Sequence, residues 1–222
     1  MSSRDAPPSA RRDAHRNRQR LLECARRAFA ERGAEAALDG IAREAGLVVG
    51  TLYRHFPTRL ELLWTVLEPK LRRVIDEMTA SLGQEDPWEA FRGLLEVLCT
   101  AQAGDRAFAD FLARRFPGDN RTEVAHNEIC GLAHQVLLRA QEAGAVRPDV
   151  TGADLLVLLW ASGCVSETTQ HVAPSMWRRH LHLAMDGLRA SNRSDLREPA
   201  WDLELLSRAL PGRQAVSRSA SG

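Results

Sequence analysis

Apolar residues recur at three- and four-residue spacing through most of this 222-residue chain, and no convincing run alternates apolar with polar. That period predicts helices and no sheet. Leu21, Leu22, Ala25, Ala28 and Phe29 form the stripe of a first helix over 13–32, with Gly33 as its stop. Leu38, Ile41, Ala42 and Ala45 mark a short helix ended by Gly46. Another short helix over 47–56 then points Leu52 and Phe56 inward.

Thr58 with Glu61 makes a capping box, so a long helix begins at 59 and carries apolar positions to Met78. Pro69 falls inside it and predicts a kink, a hypothetical hinge for movement of what precedes it. Asp86-Pro87-Trp88-Glu89 starts the next helix, to about 103, and a short one follows over 105–116 before Pro117-Gly118. Asn120-Arg121-Thr122-Glu123 opens a further helix to Gly144. After an extended link over 145–149, Thr151 caps a helix to about 169 that is apolar nearly all round and must be covered. A helix over 174–190 closes the regular part, followed by a polar linker and a short helix over 201–210. The pattern divides into a disordered basic arm (1–12), a small head (13–58), a helical body (59–210) and a disordered tail (211–222).

Charge sharpens this division. Overall it is only +1, but residues 1–60 hold twelve Arg against seven acids, and the rest is net negative. A basic head on an acidic body suits a polyanion held at one end. Cys24, Cys99, Cys130 and Cys164 are scattered without metal-site spacing, and read as small buried residues in a reducing compartment. No metal or cofactor is expected. The N-terminus lacks a signal-peptide pattern, and the longest uncharged run, 155–166, is too short to span a membrane. A cytoplasmic protein is the expectation.

The two short helices around Gly46 match the unit that lays its second helix in a DNA major groove. The outer face of that helix carries Val48, Val49, Thr51, Tyr53, Arg54 and His55, a mixture suited to base edges and phosphates. With IAREAG, GTLYRHF and Leu60-Glu61-Leu62-Leu63 in register, residues 18–67 resemble the TetR family of bacterial transcriptional repressors. The resemblance implies a homodimer reading a palindromic operator on double-stranded DNA and released by a small molecule. It places Thr51 and Tyr53 in the groove, Val49 and Gly50 near bases, and Tyr53, His55 and Arg59 on phosphate. Two positions depart from the family pattern. Ala37 and Val48 stand where hydroxyl residues usually cap the two short helices, and each lost cap costs about 1 kcal/mol.

Trp64, Met78, Phe91, Phe108, Phe111, Phe116, Cys130, His134 and Trp160 are the candidates to line a cavity for a hydrophobic or aromatic effector. Leu155, Leu158, Leu159 and Ser162, with Trp177, Leu181, Ala184 and Leu188, are the candidate dimer interface. No nucleophile elbow, phosphate-cradling Gly loop or paired His/carboxylate motif speaks for an enzyme. The alternative is a helical interaction module that binds no DNA.

Overall fold

A computed structural model describes residues 8–113, 116, 119–191 and 194–200. These form nine helices: α1 (Pro8–Arg32), α2 (Leu38–Glu44), α3 (Val49–His55), α4 (Arg59–Leu82), α5 (Pro87–Gln102), α6 (Arg106–Ala113), α7 (Asn120–Glu142), α8 (Gly152–Thr169) and α9 (Met176–Gly187). Among the described residues the one β feature is an isolated bridge between Val146 and Arg189. The expected helix at 201–210, the tail beyond it and the Pro117-Gly118 terminator lie outside the described residues.

Local chemistry sets the boundaries. Thr58 accepts the Glu61 N–H at 3.0 Å and starts α4. Asp86 accepts from Trp88 and Glu89 with Pro87 at the first position of α5. Thr151 and Asp154 cap α8 reciprocally. Gly33, Gly46 and Gly144 take positive φ where α1, α2 and α7 end.

Two expectations need correction. First, α1 begins at Pro8, so residues 8–12 of the anticipated arm are helical; residues 1–7 lie outside the described part. Proline at a first helical turn loses no hydrogen bond, so the Pro7-Pro8 pair is no barrier to this longer start. Second, Phe116, expected as the last residue of the short helix, is not helical, and the described span of α6 is Arg106–Ala113. At Pro69, which is exposed, α4 continues without interruption.

One apolar cluster runs through the whole molecule, from Leu21, Phe29, Ile41 and Leu52 in the head to Leu71, Phe91, Phe108 and Leu181 in the body. The 58/59 division is therefore a change of architecture without a break in the core. The segment 145–149 is tied down as well: Arg147 donates its N–H to Leu188 O at 3.0 Å, and Ala190 donates to Ala145 O at 3.1 Å. The exit of α9 is thus stitched to the α7–α8 link.

Candidate nucleic-acid interface and body groove

The head is built so that α3 presents one face outward. Leu52 and Phe56 are buried beneath it, in the same apolar cluster as Leu21, Ala25 and Ile41. Val48 is 69% exposed and Tyr53 48%, with Gly50 and Arg54 also exposed. Val49, Thr51 and His55 are half-buried at the edges of this face. Neither Ala37 nor Val48 makes a side-chain cap bond, so the two short helices begin without that support.

Arginines of helix α1 contact the far ends of both short helices. Arg18 lies over the Phe56 ring at 5.0 Å. Arg20 covers the turn at Gly46: a Cβ there would fall 2.8 Å from Arg20 Nη2, and φ is +69°. Arg32 pairs with Glu44 of α2 at 2.9 Å. Partial burial and the charges of Arg18 and Arg54 lower the pKa of His55 below its ordinary 6.5, which favours a neutral ring.

Arg59, for which the resemblance implies a phosphate contact, also makes bonds within the chain. Its Nη1 donates to Ala34 O at 3.1 Å and Ala36 O at 2.6 Å. From the opposite side, the Asp110 carboxylate of α6 accepts the Ala34 N–H at 2.8 Å. The α1–α2 turn is thereby held between α4 and α6. Asp110 Oδ2 also lies 2.7 Å from where a Cβ of Gly33 would be, so the close approach depends on glycine. Arg121 adds another tie between elements, bridging Glu61 of α4 at 2.8 Å and Asp119 at 2.7 Å while covering Trp64.

Most of the expected cavity residues are packed within the core, with Phe111 against Phe108 and Phe116. Met78, Phe91, Phe108 and Phe111 are fully buried, Phe116 is buried, and Trp64 is half-buried under Arg121. Cys130 and His134 are exposed on α7, so two of the four cysteines, Cys130 and Cys164, are not the buried residues expected. Of the nine candidates only Trp160 lines a groove of about 660 Å3 between the end of α1 and helices α5, α6 and α8. Sequence spacing could not find this groove, because Glu31, Asp110 and Glu167 meet there only through the fold.

The expected dimer residues are likewise placed inward. Leu155, Leu158, Leu159 and Ser162 of α8 and Trp177 and Leu181 of α9 are buried within this chain; Ala184 and Leu188 are half-buried. The large apolar residues left outside on these helices are Val157, Trp160, Met176 and Leu183. Among the described residues no cluster of His, Cys, Asp and Glu could hold a metal, and no helix is long and apolar enough to cross a membrane.

A helix-turn-helix head, carried by a helical body and joined to it through one core, is the architecture of a one-component regulator. Residues 21–64 match the family model for bacterial regulatory proteins of the tetR family, and residues 86–190 match that for the C-terminal domain of SbtR-like transcriptional regulators. The chain is 32% identical over 119 residues to the HTH-type transcriptional regulator TtgW of Pseudomonas putida, covering 53% of this chain and 86% of that one. It is 31% identical over 141 residues to SrpR of Pseudomonas putida, 60% of this chain but only 64% of that protein. The crystal structure of the TetR regulator SCO0520 from Streptomyces coelicolor superposes with a TM-score of 0.50 at 30% identity, covering 78% of this chain and 98% of that one. This chain belongs to the TetR family.

Proposed function

We propose that this protein is a DNA-binding transcriptional repressor that grips a palindromic operator as a homodimer and lets go when a small apolar molecule occupies its body. The single observation that carries the reading is the outward face of α3, where Val48, Gly50, Tyr53 and Arg54 are exposed above the buried Leu52 and Phe56. Tyr53 and Arg54 supply hydrogen-bond donors for phosphates and base edges, while Val48 and Val49 can meet only apolar groups such as a thymine methyl.

Dimerisation gives two such faces with the spacing a palindrome requires. The partner surface we assign is the outer face of α8 and α9, where Val157, Met176 and the 64% exposed Leu183 stand beside half-buried Ala161, Val165 and Ala184. Replacing Leu183 with Glu yields monomers in a solution mass measurement, whereas the dimer persists if this surface is idle.

Release follows from the grip on the α1–α2 turn. A ligand in the 660 Å3 groove touches Ala30, Glu31 and Asp110, next to that grip. To switch operator occupancy almost completely, it must prefer the released arrangement by about 5.5 kcal/mol. The test of the DNA reading is titration of the full chain with operator-length duplex at rising salt. Affinity falls steeply with salt if Arg54 and the α1 arginines meet phosphates; binding that ignores salt, or no binding, refutes it.

A further inference from the structure

Gln102 ends α5 at the wall of the 660 Å3 groove, with only 6% of its surface exposed. Its Nε2 donates to Leu159 O of α8 at 2.6 Å. A backbone carbonyl can only accept, so this bond fixes which branch of the carboxamide is oxygen. Oε1 is then a pure acceptor. Among the described residues it accepts no hydrogen bond, and it is not sealed from solvent. It lies 3.5 Å from where a Cβ of Gly163 would be, and Gly163 lines the same groove. The glycine leaves the carboxamide uncovered where a side chain would screen it.

The groove also presents Leu112, Leu156, Leu159 and the 45% exposed Trp160. The Trp160 ring offers a flat face on which an aromatic body stacks. A body that covers Oε1 strips water from it. Unless that body brings a donor of its own, the lost hydrogen bond is not replaced.

We propose that Gln102 selects the effector of this protein, an aromatic molecule whose N–H or O–H donates to Oε1. The inference rests on the effector-controlled reading above and names the chemical class that the groove accepts. The selection is directional, because the amide cannot turn to offer its N–H to a ligand without giving up Leu159 O. Gln102 also stands close to the link with the head. Its backbone carbonyl accepts the Asp105 N–H at 3.0 Å, and the turn so formed leads into α6, whose Asp110 accepts the Ala34 N–H at 2.8 Å. A ligand held at Gln102 therefore bears on the elements that grip the α1–α2 turn.

Indole and benzofuran, alike in shape, differ in having an N–H donor or a ring oxygen at the same place. Calorimetric titration of the full chain should show indole binding about tenfold more tightly than benzofuran. Gln102→Met keeps a side chain of similar length without the amide, and Leu159 O stays in the α8 ladder. It should weaken indole binding by about tenfold and leave benzofuran within about twofold, so the preference disappears. Gly163→Ala leaves Gln102 in place but sets a methyl in ordinary contact with Oε1, and should cut the preference to about threefold or less.

Binding of neither probe, or equal or tighter benzofuran binding by the parent chain, overturns the proposal. So does a preference for indole that survives in Gln102→Met, or in Gly163→Ala should the methionine variant not fold. Duplex DNA binding by the unliganded chain is measured in parallel. A chain that binds DNA but shows no preference for indole refutes the donor site and leaves the regulator reading intact. A chain that prefers indole through Gln102 but binds no DNA refutes the regulator reading and supports the donor site.

Discussion

Asp110 on α6 accepts the backbone N–H of Ala34 at 2.8 Å, fastening the body to the turn that aims the DNA-reading head. A charged acceptor makes this a stronger bond than a neutral one. Asp110→Ala leaves the Ala34 N–H without its acceptor and is expected to cost about 1–3 kcal/mol, read as a lowered urea midpoint. Gly33→Ala puts a methyl 2.7 Å from the same carboxylate at φ +81°, and should lower stability by at least 1 kcal/mol. Both variants should lose operator affinity although neither residue faces DNA.

Arg59 tests whether its guanidinium serves the turn or the phosphate backbone. Arg59→Ala removes donors to Ala34 O and Ala36 O and should destabilise the chain by about 1–3 kcal/mol. If the role is structural, the slope of log affinity against log salt stays as in the parent; a direct phosphate contact would reduce it by about 1.

The missing caps offer a gain of stability. Ala37→Ser and Val48→Ser each place a hydroxyl where an N-cap with extended backbone now has no side-chain bond. Each should raise stability by about 0.5–2 kcal/mol, measured by chemical denaturation. No change in midpoint would mean that the added hydroxyls do not reach the first-turn N–H groups.

Tyr53 is the one tyrosine of the chain, and its side chain stands half out of α3. Tyr53→Phe should weaken duplex binding by roughly three- to tenfold through loss of one hydroxyl bond, with the melting temperature unchanged. An unaltered affinity would place the DNA contact elsewhere on the face.

His55 predicts a pH effect of definite sign. Its pKa is lowered in the fold, first by burial and then by Arg18 and Arg54, so just below 6.5 the unfolded chain binds more protons than the folded one. Its contribution is therefore present above the ordinary 6.5 and is lost as pH falls towards and through the lowered value. Replacing His55 with Asn should flatten that part of the stability–pH curve.

Much of this was legible in the sequence for identifiable reasons. Thr58, Asp86 and Thr151 announce helix starts because their side chains bond the first N–H groups. Gly33, Gly46 and Gly144 announce stops because the chain there takes positive φ. GTLYRHF marks the reading helix because its apolar positions, Leu52 and Phe56, leave one polar face. What was not legible depends on contacts remote in sequence. Nothing in the spacing shows that Arg59 Nη1 also bonds the carbonyls of Ala34 and Ala36. The aromatic residues proposed for a cavity pack instead on one another, as Phe111 does on Phe116 and Phe108. For α8, apolar residues all round say that it is covered, but not which side meets its own chain: Leu155, Leu158 and Leu159 turn inward and leave Val157 outside.

The central claim is that the α3 face reads a specific two-fold DNA sequence. Selection of bound duplexes from a random pool with the full chain tests it most directly. The account predicts enrichment of one palindrome with half-sites spaced for two symmetry-related heads, and loss of that enrichment in Tyr53→Ala. Recovery of a pool no different from the input, or of sequences without two-fold symmetry, would contradict it.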